Sequence, residues 1–132
     1  MSRGSASSMT LRLELFVTDL PASVDFYCRV LGFESNEAHS DGYTSLSRGK
    51  VQLALNRRDT LPDEHPIRFG AAERPGLGVE IVLEVDDVAA ICEHVQVQKW
   101  PVASPLQRQT WGSTDFRLVD PDGYYLRITS RS

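Results

Sequence analysis

The stretch Leu11-Arg-Leu-Glu-Leu-Phe-Val17-Thr-Asp19-Leu-Pro-Ala-Ser23 changes period in the middle. Up to Val17 it alternates, with Leu11, Leu13, Leu15 and Val17 on one face and Arg12, Glu14 and Phe16 on the other, which predicts a half-buried strand. Asp19 before Leu-Pro then supplies a cap and a first-turn proline, Val24, Tyr27, Cys28 and Leu31 recur at helical spacing, and Gly32 stops the helix. The same switch returns downstream. Val79-Glu-Ile-Val-Leu-Glu-Val85 reads as a strand, and 86–98 reads as a helix carrying Val88, Ile91, Cys92 and Val95. Laying Val17-Thr-Asp19-Leu20 on Val85-Asp86-Asp87-Val88 matches strand end to strand end and helix start to helix start, so the chain contains a structural repeat.

Working outward, strands are predicted over 33–39, 43–47 and 51–56, with turns at Asp41-Gly42 and Arg48-Gly49-Lys50. In the second half they are predicted over 102–106, 116–119 and 124–128, the last two joined by a hairpin turn at Asp120-Pro-Asp-Gly123. Each half is therefore βαβββ, one over 10–56 and one over 78–130, in a single α+β domain. Between them 57–77 dissolves into charges and prolines around an isolated Phe69, which predicts a linker or lid. Residues 1–9 form a polar leader without the apolar core of a signal peptide, expected to be disordered, with Met9 available as an alternative start.

A chain of 132 residues, 41% hydrophobic and 24% charged, has the makeup of one globular domain that buries roughly two-thirds of its unfolded surface. With 14 Lys+Arg against 18 Asp+Glu it carries a net charge of −4, and its cations are scattered, so nucleic acid is not an expected partner. No apolar run approaches the roughly 20 residues that span a bilayer, so membrane insertion is not expected either. Cys28 and Cys92 stand in no metal-binding or redox spacing and read as small buried thiols, consistent with a cytoplasmic, reducing setting. No G-x-S-x-G elbow, phosphate-binding loop or dinucleotide fingerprint occurs, and Asp120-Pro-Asp122-Gly123 lacks the later ligands of a calcium loop.

Two βαβββ units, with Phe26-Tyr27 and Leu31-Gly32-Phe33 closing the first helix and Trp111-Gly112, Phe116 and Asp120-Pro-Asp-Gly-Tyr-Tyr-Leu126 near the end, resemble the vicinal-oxygen-chelate superfamily. That superfamily comprises glyoxalases, extradiol dioxygenases and bleomycin-resistance proteins. The resemblance runs over about residues 10 to 130 and implies a cup-shaped, eight-stranded mixed sheet, its modules swapped across a homodimer. It also implies four cup positions that carry His, Glu or Gln in the metal enzymes; here they fall on Arg12, Gln52, Glu80 and Arg127. Strand alternation independently turns all four away from the apolar faces.

Two guanidiniums offer a cation no lone pair, so neither a metal nor any other cofactor is expected. His39, His65 and His94 form no metal-ligand pattern and read as ordinary histidines, although His39 falls near the cup rim. Glu14, Glu80 and Glu84 could each supply a carboxylate base, but Arg127 is predicted beside Glu80 on paired strands, where an ion pair makes it a poorer base.

The segment Trp111-Gly112-Ser-Thr114, followed by Leu118-Val-Asp-Pro-Asp-Gly123 and Leu126-Arg127, is most similar to the metal-free bleomycin-resistance type, in which the tryptophan stacks on the ligand. Tyr43 stands where those proteins carry another aromatic, while 57–77 is longer and more charged than theirs. The expected function is capture, without turnover, of an aromatic, antibiotic-like natural product. Phe16, Tyr43, Trp111, Phe116 and Tyr125 would supply stacking surface, and Arg12, Glu14, His39, Gln52, Glu80, Glu84 and Arg127 polar contacts. The alternatives are an atypical lyase, isomerase or dioxygenase-like enzyme on this fold, or a dimeric interaction module with an empty cup.

Overall fold

The computed structural model describes residues 7–38 and 42–131. Its elements are β1 (Leu13–Val17), α1 (Leu20–Asp25) continued by a π-helical turn (Phe26–Val30), β2 (Glu34–Ala38), β3 (Thr44–Arg48) and β4 (Val51–Arg57). A 3-10 turn (Arg58–Thr60) then leads to β5 (Ile81–Val85), α2 (Val88–Val97), β6 (Ser104–Arg108), β7 (Thr114–Val119) and β8 (Tyr125–Ser130). Both βαβββ units are present. The strands form two mixed four-stranded sheets, ordered β1-β4-β3-β2 and β5-β8-β7-β6, in each of which the outermost first strand runs parallel to the last.

The repeat extends to the helix starts. Asp19 accepts from the amide of Ala22 at 3.1 Å and Asp87 from that of Ala90 at 3.0 Å, so each helix begins on a carboxylate that satisfies an otherwise orphaned N–H. The first helix departs from the even spacing expected of it: its last turn widens, the Leu31 amide reaching back to the Phe26 carbonyl. Phe26, Tyr27 and Val30 are all buried in that turn.

One hydrophobic core serves both modules. Leu15, Val17, Phe26, Leu46 and Leu55 from the first pack in the same cluster as Val88, Val95, Phe116, Leu118 and Ile128 from the second. At the junction the Phe26 ring lies 4.7 Å from that of Trp100, whose indole N–H donates to the Val119 carbonyl at 2.9 Å. Tyr27 and Tyr124 each cross the boundary with a hydroxyl, to Asp120 Oδ2 at 2.7 Å and to the Phe16 carbonyl at 2.8 Å. The hairpin turn expected at Asp120 forms, with Asp120 Oδ1 accepting from the amides of Asp122, Gly123 and Tyr124.

The segment after β4 is tied down as a strap. Arg58 donates to the Phe69 carbonyl and covers the Phe69 ring, which meets Tyr124 edge-on at 6.5 Å. Arg74 donates to the Gly123 carbonyl at 2.6 Å, Pro75 is buried, and Gly76 passes so close to Tyr124 that a Cβ would stand 2.9 Å from its ring. Gly76 also has φ +71°, so glycine is required there on two counts. Among the described residues no helix is long and apolar enough to cross a membrane.

Candidate functional site

The polar face of each sheet is set by alternation along its strands. On β1, Leu15 and Val17 are buried while Glu14 is exposed and Phe16 half-buried; the register sets Glu14 beside Ala54 and Phe16 beside Asn56. One residue before this pairing Arg12 falls level with Gln52, and its guanidinium lies 3.7 Å from Glu14. Tyr43 is half-buried just before β3. His39 lies outside the described residues.

The second sheet carries a denser arrangement. Arg127 on β8 is directly opposite Arg117 on β7, and Glu80, just before β5, reaches both. Its carboxylate lies 3.3 Å from Arg127 Nε and 3.8 Å from Arg117 Nε. The expected pairing of Glu80 with Arg127 is therefore present, although the register puts Val82 level with Arg127 and Glu80 reaches it diagonally. Asp115 completes the group from beneath, its Oδ1 accepting from Gln109 Nε2 at 2.8 Å. Tyr125 is half-buried two residues along β8 from Arg127, with the Arg74 guanidinium 5.8 Å from its ring centroid. Glu84 is exposed on the same face, opposite Thr129.

Phe116 does not belong to this face. It is fully buried, pairs with Ile128 and sits in the core, so it is unavailable to a ligand. The reason is the alternation of β7: Phe116 and Leu118 share the face that packs in the core, while Asp115 and Arg117 share the opposite, polar face, on which Asp115 is itself buried. The same alternation could have revealed Asp115 and Arg117, which sequence reasoning missed; Arg74 carried no such signal, because only the strap's path brings it to Tyr125. Trp111 lies in the β6–β7 turn and is 62% exposed, so it does not pack between modules.

Within one chain these residues make two groups. Among the described residues no hydrogen bond or ion pair joins Arg12, Glu14 or Gln52 to Glu80, Arg117 or Arg127. A separate cavity of about 670 Å³ runs between the outer edge of β5 and the β3–β4 turn, walled by Leu31, Phe33, Val51, Val82 and Ile91. Of the expected site residues only Glu84 lines it.

The residues expected at the four cup positions include two that cannot ligate a metal ion. Arg12 and Arg127 have no lone pair to give, and the Glu80 carboxylate is held between two guanidiniums. Among the described residues no group of three or more His, Cys, Asp or Glu is placed to hold a metal ion. Burial pushes the Cys28 and Cys92 thiols up from their usual range, away from the thiolate a nucleophile needs.

A family model for the Glyoxalase/Bleomycin resistance protein/Dioxygenase superfamily matches residues 10–128. The chain belongs to this superfamily. Among the superfamily's curated members, it is 26% identical over 116 residues to the bleomycin resistance protein of Geobacillus stearothermophilus, covering 80% of this chain and 84% of that protein. Among its solved structures, TioX from Micromonospora sp. ML1 superposes with a TM-score of 0.75 at 21% identity, over 95% of this chain and 100% of that one. A lactoylglutathione lyase from Agrobacterium tumefaciens gives 0.71 at 22%, over 94% of each chain. At these identities the two structures speak for the superfamily fold alone.

Proposed function

We propose that this member of the superfamily binds an aromatic, antibiotic-like small molecule and sequesters it unchanged, protecting its host by capture. The observation that carries the reading is the occupation of two of the four cup positions by Arg12 and Arg127, beside half-buried aromatics at Phe16 and Tyr125. Such a wall can stack and orient a flat ligand but offers no lone pairs to a Lewis acid. Similarity to bleomycin resistance proteins supports the same reading.

The cup is completed by a second copy of the chain. Supporting this, β1 and β5 each stand at the edge of their sheet, and among the described residues the polar side chains of the two sheets form separate groups within one chain.

The test is titration with bleomycin and a panel of aromatic antibiotics, followed by mass analysis of the ligand recovered. Micromolar or tighter binding with the ligand returned intact is expected. A chemically altered ligand would favour the lyase or isomerase alternative, and no binding across the panel would favour the interaction module.

A further inference from the structure

Arg117 and Arg127 face each other across β7 and β8, with side chains 26% and 25% exposed. Like charges directly opposite on a sheet repel, and here two carboxylates offset them. The offset is one of charge only. Glu80 approaches at 3.3 and 3.8 Å and Asp115 Oδ2 stands 4.0 Å from each guanidinium, yet none of these contacts is a hydrogen bond. Among the described residues neither arginine donates a side-chain hydrogen bond, and Asp115 Oδ2, on a side chain 2% exposed, accepts none. Each guanidinium carries five N–H donors in a planar fork; the Nε of each is buried, so the donors the pair has to offer the polar face are those of the terminal nitrogens.

The group that uses such a set is a planar or tetrahedral oxyanion, which accepts several charge-assisted bonds at once. A third cation points the same way. Arg74 reaches the Tyr125 ring from the strap and has no carboxylate partner among the described residues. Arg117 and Arg127 thus meet Glu80 and Asp115, Arg74 stands apart from them at Tyr125, and Glu84 lies farther along the wall opposite Thr129, on a chain whose net charge is −4. Glu80, the more exposed of the two paired carboxylates, occupies the place a ligand's oxyanion would take.

We propose that this wall receives the oxyanion of an aromatic ligand, a carboxylate or phosphate, on the opposed guanidiniums of Arg117 and Arg127, with the aromatic ring over Tyr125 beside Arg74. The proposal rests on the reading of the cup as an aromatic-ligand site and names the class of ligand that site takes. Glu80 acts as a resident competitor for the same donors.

The test uses 2-naphthoate, 2-naphthyl phosphate and the neutral 2-naphthamide, titrated calorimetrically into the intact protein. At least one anion is expected to bind about tenfold or more tighter than the amide. Arg127→Met should erase that preference, bringing anion and amide to similar affinity, and the tighter anion identifies the oxyanion. Glu80→Gln, which leaves both arginines and Asp115 intact, should widen the preference for the anion over the amide several-fold, so the proposal stays testable if the arginine variant folds poorly. Equal binding of anions and amide, unaltered by Glu80→Gln, would overturn the oxyanion site and leave the aromatic cup standing. Binding of none of the three would overturn the oxyanion site, while the titration with bleomycin and the antibiotic panel decides the cup separately.

Discussion

The Tyr27 hydroxyl donates to Asp120 Oδ2 at 2.7 Å, joining the first helix of one module to the β7–β8 turn of the other. Asp120 Oδ1 is already filled by three backbone amides, so Tyr27 is the donor that completes this buried carboxylate. Tyr27→Phe leaves Oδ2 desolvated and unpaired and should cost about 1–3 kcal/mol. Urea denaturation should show the loss as a lower midpoint at unchanged slope. A variant as stable as the parent would mean that water reaches Asp120 and the junction is not sealed.

The same carboxylate predicts a pH dependence. Burial raises the Asp120 pKa above its usual value, and the bonds from Tyr27 and the turn amides pull it only part of the way back. A carboxyl whose folded pKa is raised contributes stability that is fully present below its unfolded value, near 4, and is lost as pH rises through the folded value. Asp120→Asn removes this dependence. The stability difference between parent and variant, measured by urea denaturation from pH 4 to 8, should therefore move in the parent's favour as pH falls. A difference that is flat, or that grows with rising pH, would refute it.

At 62% exposure Trp111 contributes little to the core, so Trp111→Ala should leave the thermal midpoint nearly unchanged. Stacking and burying an indole against a flat ligand is worth about 1–3 kcal/mol, whereas an exposed ion pair such as Arg12 with Glu14 contributes about 0–1. Affinity for an aromatic ligand should accordingly fall about tenfold or more in Trp111→Ala. In Glu14→Gln it should change only a few-fold and in a salt-dependent way. Unchanged affinity in the tryptophan variant would remove Trp111 from the site.

Phe116 behaves in the opposite sense. Truncation to alanine inside the shared core should cost about 3–5 kcal/mol. Phe116→Leu, which keeps most of the apolar volume, should fold and bind ligand as the parent does. Weakened binding in a well-folded leucine variant would return Phe116 to the ligand surface.

Completion of the cup by a second copy predicts a particle of about twice the 14.7 kDa chain mass in light scattering. A monomer at micromolar concentration would show that the cup closes within one chain or stays open.

The sequence by itself determined the βαβββ repeat, the capped helix starts at Asp19 and Asp87, the Asp120 turn and the face on which most strand residues lie. All of these depend on neighbours a few residues apart, through a period of two along strands, a period of 3.6 along helices and hydrogen bonds within one turn. Phe116, expected on the ligand face, lies in the core because it alternates with Leu118, while Asp115 and Arg117 take the polar face, a period-two pattern already visible in the sequence. What only the tertiary structure decided is how distant segments meet. The placement of Glu80 between Arg117 and Arg127, of Arg74 over Tyr125, and of Tyr27 against Asp120 depends on sheet register, the path of the strap and the packing of one module on the other. Those follow from burying apolar surface in one shared core, a force without direction along the chain, so no local pattern announces which remote side chains it brings into contact.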